Sequence, residues 1–147
     1  MTTNGPHIVR LEFTSAFEML DFVQVVSDHL ARGVGLDEDS MHWGSVAIRE
    51  SGINAIKHGN RSDASKHVFV EFETATTGVP QLAIRVRDQG EGFDPDKVAN
   101  PLDVENLLKS SGRGIFLIRN FMDDVQLQRA PEGGMEIRMV KKAQPVA

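Results

Sequence analysis

Glu50-Ser51-Gly52-Ile53-Asn54-Ala55-Ile56-Lys57-His58-Gly59-Asn60 sets three polar residues at helical intervals: Glu50, Asn54 and His58 stand at i, i+4 and i+8. On a helix these side chains fall roughly in line on one face. Val46, Ala47, Ile53 and Ile56 make the neighbouring face apolar. A carboxylate one turn from an amide oxygen suits magnesium–nucleotide chemistry. The amide oxygen is a hard ligand that leaves the cation's charge for phosphates, and the carboxylate can take a proton from an incoming hydroxyl. Taken alone, the pair reads first as an exposed polar stripe on an amphipathic helix and decides nothing. His58 then reads as a helix-end residue favoured by the dipole, and Lys57 as a solvated charge.

Outward from this segment, the chain alternates elements of both kinds. His7–Phe13 alternates apolar and polar residues as a strand does. Thr14 or Ser15 can cap the following helix, in which Phe17, Leu20, Val23, Val26 and Leu30 recur at helical spacing and which Gly33 or Gly35 ends. The central helix is expected over Asp39–His58, stopped by Gly59 and Asn60. Val68–Phe72 and Leu82–Val86 read as strands across the turn-rich Thr74–Pro80. A short helix is expected at Pro101–Leu108 and a longer one from Gly114, carrying Ile115, Leu117, Ile118 and Phe121. Val125–Gln128 and Met135–Val140 close the chain as a hairpin across Ala130–Gly134. The expected fold is an α+β two-layer sandwich: a mixed, mostly antiparallel sheet covered on one face by about three helices.

Two further motifs carry chemistry. The strand Leu82–Arg87 runs into Asp88-Gln89-Gly90-Glu91-Gly92-Phe93-Asp94. The alternating glycines allow a close backbone approach, and a buried aspartate at the strand end can accept a hydrogen bond from an adenine amino group. An ordinary glycine turn with a capping aspartate is the competing reading. Ser111-Gly112-Arg113-Gly114 leads into an apolar helix, where free N–H groups and a positive dipole end favour an anion. Arg113 can reach a terminal phosphate, although a flexible loop before a capped helix explains the same residues. The irregular stretch between the two motifs is long for a compact domain and reads as a lid, residues 93–113.

Composition narrows the classes. At 147 residues, 40% apolar and 25% charged, the chain has the make-up of one globular domain, expected over residues 1–147. It contains no cysteine, which removes disulfides and thiolate metal sites and suits a reducing, cytoplasmic setting. The net charge of −5 argues against direct nucleic-acid binding. No apolar run is long enough for a membrane span or a signal peptide. The five histidines are scattered without zinc-ligand spacing. Neither a Gly-x-Ser-x-Gly elbow nor a Gly-x-x-x-x-Gly-Lys-Ser/Thr phosphate loop occurs, and the Asp88 segment lacks the third glycine of a dinucleotide fingerprint.

Together and in this order, the three motifs resemble those of the GHKL ATPases, the superfamily of gyrase, Hsp90 and sensor histidine kinases, over nearly the whole chain. Within it the chain looks like the small anti-sigma-factor serine kinases. No dimerisation helix with a phosphoacceptor histidine precedes the motifs, as a sensor kinase would have, and no second domain comes after them. The resemblance implies ATP and Mg²⁺ as ligands, with Asn54 holding the metal and Glu50 acting as general base. It further implies that Asp88 contacts adenine in a pocket shaped by Gly90 and Gly92. Gly112, Arg113 and Gly114 would then lie at the phosphate end of the lid, with Lys57 and His58 near the bound nucleotide. It also implies a sigma factor held inactive, an antagonist protein phosphorylated on serine, and a homodimer. A non-catalytic, ATP-dependent partner switch is the alternative. Phe116, Phe121 and Met122 serve either an interface or the core.

Overall fold

The computed structural model describes residues 6–91 and 112–143. Five strands form one sheet in the order β1-β2-β3-β5-β4. They are β1 (Ile8–Thr14), β2 (His67–Ala75), β3 (Gln81–Arg87), β4 (Asp124–Arg129) and β5 (Met135–Lys142). Among the described residues every pairing is antiparallel, so the sheet is simpler than the mixed one expected. The three helices are α1 (Met19–Val34), α2 (Glu38–Asn54) and α3 (Gly112–Phe121).

The register decides which face is covered. Phe13 pairs with Val68, Val70 with Val86 and Ile84 with Met139, so the alternate apolar positions of neighbouring strands line up on one side. That side meets Leu20, Val23 and Leu30 of α1, Ala47 and Ile48 of α2, and Ile118 of α3 in a continuous buried core. Phe72, Ile84, Ile56 and Met139 are wholly inaccessible, and each such side chain contributes about 1.5–3 kcal/mol relative to leaving it in water. The opposite face is polar, with Arg10, Glu71, Arg85 and Arg138 in successive register across four strands. Arg10 pairs with Glu71 at 2.8 Å, and Arg87 stacks on Phe69 at 4.0 Å. The described helices therefore cover a single face, as expected of the two-layer α+β fold.

The helix ends differ from the sequence-based expectation in instructive ways. Neither Thr14 nor Ser15 caps α1; Glu18 precedes its first residue without a side-chain cap. The Ser15 hydroxyl instead donates to the Lys66 carbonyl at 2.9 Å, drawn there by the pairing of β1 with β2. Phe17 consequently falls before the helix and is exposed, while Leu20, Val23 and Leu30 are buried as the periodicity requires. Gly35, at φ +86°, ends the helix in the left-handed conformation that glycine adopts without strain. Asp37 caps α2 by accepting the Ser40 N–H at 2.7 Å.

The α-helical part of α2 stops at Asn54, four residues short of the expected end, and widens into a π-helical turn over Ala55–Gly59. Such turns interrupt helices chiefly near functional sites. The helix expected from Gly114 begins at Gly112. The hairpin closes across Ala130–Gly134, with Ala130 N–H donating to the Gly134 carbonyl at 2.9 Å. The expected helix at Pro101–Leu108 and nearly all of the 93–113 segment lie outside the described residues. No helix among the described residues is long and apolar enough to cross a membrane.

Candidate nucleotide site

Asp88, the residue after β3, is 5% exposed. Its Oδ1 accepts two backbone N–H bonds, from Gly90 at 2.9 Å and from Met135 at 3.1 Å. Burial raises the carboxyl above the ordinary aspartate range, opposed in part by those two bonds and by the charges of Arg87 and Lys66. Three glycines close around it. A β-carbon at Gly59 would overlap the Asp88 carboxylate, one at Gly134 would strike the Asp88 carbonyl, and one at Gly90 would strike the Gly59 carbonyl. Gly134 also sits at φ +83°, so its conformation and its surroundings both call for glycine. With Oδ1 engaged by the two N–H groups, Oδ2 lies against Gly59. The bond from the Gly90 N–H to Oδ1 is the capped glycine turn of the competing reading, so Asp88 closes its own turn and is buried as well.

The π-helical turn brings the helix to this point. The residues it sets at the Asp88 loop are Gly59 and, immediately after, Asn60, whose side chain is wholly buried. Asn60 Nδ2 donates to Ser15 Oγ and to the His67 carbonyl, both at 2.9 Å, and Oδ1 accepts the Gln89 N–H at 2.7 Å. From sequence Gly59 and Asn60 read only as a stop signal, and Gly134 only as a hairpin glycine. The contacts that give them their place reach the Asp88 segment, 29 or more residues away along the chain, beyond local pattern.

One face of α2 carries Glu50 and Asn54, both half-buried rather than solvated. Arg49, about 100° around the helix, faces α1 and binds Asp21 and Gln24, each at 2.9 Å. Glu50 is thereby turned away from that contact. Asn54 Nδ2 is buried without a hydrogen-bond partner, an uncommon and costly condition for an amide. This amide therefore has a polar atom free for an added group, and a half-turn of its plane would present the oxygen there instead. The same face continues to His58, also half-buried. Burial, and then the charge of Lys57, lower its pKa, so it favours the neutral ring and not the cation a helix-end dipole would select. Lys57 is exposed, as its reading as a solvated charge requires.

Helix α3 packs along α2, and Trp43 stacks on Phe121 with ring centroids 4.4 Å apart and planes 16° from parallel. Gly112 lies nine residues before Phe121, about 14 Å along the axis. For the two helices to lie side by side, α3 must run antiparallel to α2, with its first turn toward the Glu50–Asn54 end. Gly112, Arg113 and Gly114 thus form the first turn of a helix aimed at that end of the site, though their side chains lie outside the described part. Gly92 also lies outside it. Of the three residues open to either role, Met122 belongs to the core, Phe121 to the Trp43 stack, and the side chain of Phe116 lies outside the described part.

A one-layer antiparallel sheet with helices on one face, a buried carboxylate at the end of β3 and an acid–amide pair on α2 is the arrangement to which a family can be matched. The profile of the histidine kinase-like ATPase domain matches residues 15–141, and the chain belongs to that family. It is 29% identical to the anti-sigma F factor of Oceanobacillus iheyensis over 134 residues, covering 90% of each chain. To the anti-sigma F factor of Bacillus subtilis it is 27% identical over 135 residues, again 90% of each. The serine-protein kinase RsbW of Staphylococcus epidermidis is 26% identical over 140 residues, 90% of this chain and 85% of that one.

Proposed function

We propose that this protein binds ATP with Mg²⁺ and transfers the terminal phosphoryl group to a serine of a partner protein. It would also hold a sigma factor in a nucleotide-dependent way. The observation that carries the nucleotide reading is the buried Asp88 carboxylate at the end of β3. One carboxylate oxygen is fixed by two backbone amides, Gly59, Gly90 and Gly134 let the backbone close tightly around the residue, and in this reading the other oxygen meets an exocyclic amino group. An adenine amino group donates to such an oxygen, whereas the guanine carbonyl at the same position would oppose it.

The phosphate end is built from α2 and α3. Asn54 fits as the metal ligand, because its buried amide has a polar atom to spare. Mg²⁺, when bound, draws charge from the phosphates and fixes their orientation. Glu50, one turn earlier, accepts the proton of the attacking serine hydroxyl. The serine oxygen then bonds to the terminal phosphorus as the bond to the ADP oxygen breaks, and ADP leaves with those electrons. Arg113 and the first N–H groups of α3 stabilise the charge on the transferred group. Gly90 and Gly92 shape the adenine side, while neutral His58 and Lys57 lie toward the nucleotide.

The names of the relatives favour a sigma factor and a protein carrying a target serine as partners, and the resemblance favours an antagonist protein as that target and a homodimer. The test is calorimetry of ATP binding with and without Mg²⁺, paired with phosphate transfer to a serine-bearing partner. Magnesium-dependent binding with transfer is the expected result. Binding without transfer would leave an ATP-dependent switch, and no binding would remove the nucleotide reading.

A further inference from the structure

We infer that Asn60 is a positioning residue for the nucleotide base, holding the Asp88–Gly90 segment in place against the end of α2 through its hydrogen bond to the Gln89 amide. This rests on the nucleotide reading above. It assigns a task to a side chain that touches neither phosphate nor metal in that reading.

Three observations lead to it. Asn60 is wholly buried, yet it uses three of the four hydrogen bonds an asparagine side chain can make, both donors included. Those bonds join the ends of three strands: Ser15 after β1, His67 at the start of β2 and Gln89 two residues past β3. The third lies on the chain between Asp88 and Gly90, whose own N–H fixes Asp88 Oδ1. Gln89 is clasped a second time, since its side-chain Oε1 accepts the His67 N–H at 2.7 Å.

The backbone beside Asn60 supports the same conclusion. Arg61 and Ser62 lie consecutively at φ +53° and +56°, left-handed values that residues with a β-carbon seldom take in succession. Such strain persists where surrounding contacts over-determine the chain. Here the Asn60 N–H reaches the Ala55 carbonyl and the Ser62 N–H reaches the Ile56 carbonyl, both at 2.8 Å, locking the sharp exit from the π-helical turn. An apolar residue here would leave the His67 carbonyl and the Gln89 N–H without the partners that Asn60 supplies. The acceptor aimed at Gln89 is what couples the helix to the base-contacting loop.

The test compares the wild type with Asn60→Ala and the near-isosteric Asn60→Asp, measuring dissociation constants for Mg·ATP and Mg·GTP alongside thermal stability. Ile84→Val, a core change in the middle of β3, serves as the stability control. Asn60→Ala should lose the Gln89 anchor and reduce the ATP-over-GTP preference by about three- to tenfold, the worth of one hydrogen bond. Asn60→Asp keeps an oxygen toward Gln89 and should restore most of that preference despite lower stability. Ile84→Val should lose stability and keep the preference. A folded Asn60→Ala with unchanged preference overturns the inference, as does equal loss of preference in both Asn60 variants. Should Asn60→Ala not fold, Asn60→Asp decides: retained preference supports the anchor and lost preference overturns it. A wild type with no preference for ATP removes the underlying nucleotide reading, and the inference with it.

Discussion

Gly59 lies against the carboxylate of Asp88 so closely that only a hydrogen fits between helix and carboxylate. This contact joins the end of the α2 segment to the end of β3 and fixes one wall of the base pocket. Gly59→Ala should therefore displace Asp88 and destabilise the fold by about 1–3 kcal/mol, the usual cost of an extra methyl in a packed site. Chemical denaturation with ATP calorimetry checks this; a variant with wild-type stability and affinity would show that the two segments do not meet.

Asp88→Asn separates function from stability. The amide oxygen can still accept the Gly90 and Met135 N–H groups, while the burial that disfavours the charged carboxylate ceases to matter. Stability at neutral pH should be kept or raised, and adenine affinity should fall by about tenfold or more, because the atom facing the ligand becomes a donor. Equal loss for ATP and GTP would count against an adenine contact.

The raised pKa of Asp88 also has a sign in pH. A carboxyl whose folded pKa lies above its unfolded value favours the folded state when protonated, so its contribution is fully present below the unfolded value near 3.8 and is lost as pH rises through the folded one. Against a background of other carboxylates, wild type minus Asp88→Asn isolates this effect. The difference in unfolding free energy should turn against the wild type as pH rises from about 4 toward neutrality. A flat difference would mean that the folded environment leaves the carboxyl unshifted.

Asn54→Ala removes a half-buried amide whose Nδ2 lacks a hydrogen-bond partner. Most truncations of half-buried residues destabilise, but this one should change thermal stability by less than about 1 kcal/mol. Magnesium-dependent ATP affinity should nevertheless be lost. Retained magnesium dependence would take Asn54 out of the metal site.

Glu50→Gln keeps the shape of the helix face and removes the base. ATP binding should survive nearly unchanged while phosphate transfer falls by about 10²–10⁴-fold. Transfer at the wild-type rate would assign the proton to another group.

Much of this architecture is legible locally. The five strands lie within three residues of their expected ends, and the Leu20–Leu30 stripe gives the buried face of α1. The glycines of the Asp88 segment announce a close approach, although not what approaches. What local reading misses is set by partners distant in the chain. Ser15 resembles a helix cap but bonds across the sheet to Lys66, and Asn60 resembles a terminator but is the most connected polar side chain beside the pocket. Gly134 resembles any hairpin glycine until Asp88 is placed against it. Phe17 fits the helical stripe by spacing, yet it precedes the helix, because the cap the stripe presumes is absent.

The π-helical turn over Ala55–Gly59 sets a limit on length variation. Deleting one residue there would remove the wide-turn bond from the Asn60 N–H to the Ala55 carbonyl and close the turn to α geometry, so that a different residue would meet Asp88. An insertion would likewise change which residue stands there. The Thr76–Pro80 connection on the far side of β2 can absorb such changes as solvent-facing loops do. Between Asn54 and Asn60, the spacing itself is the constraint, and homologues or engineered variants should tolerate substitutions there far more readily than any change in residue count.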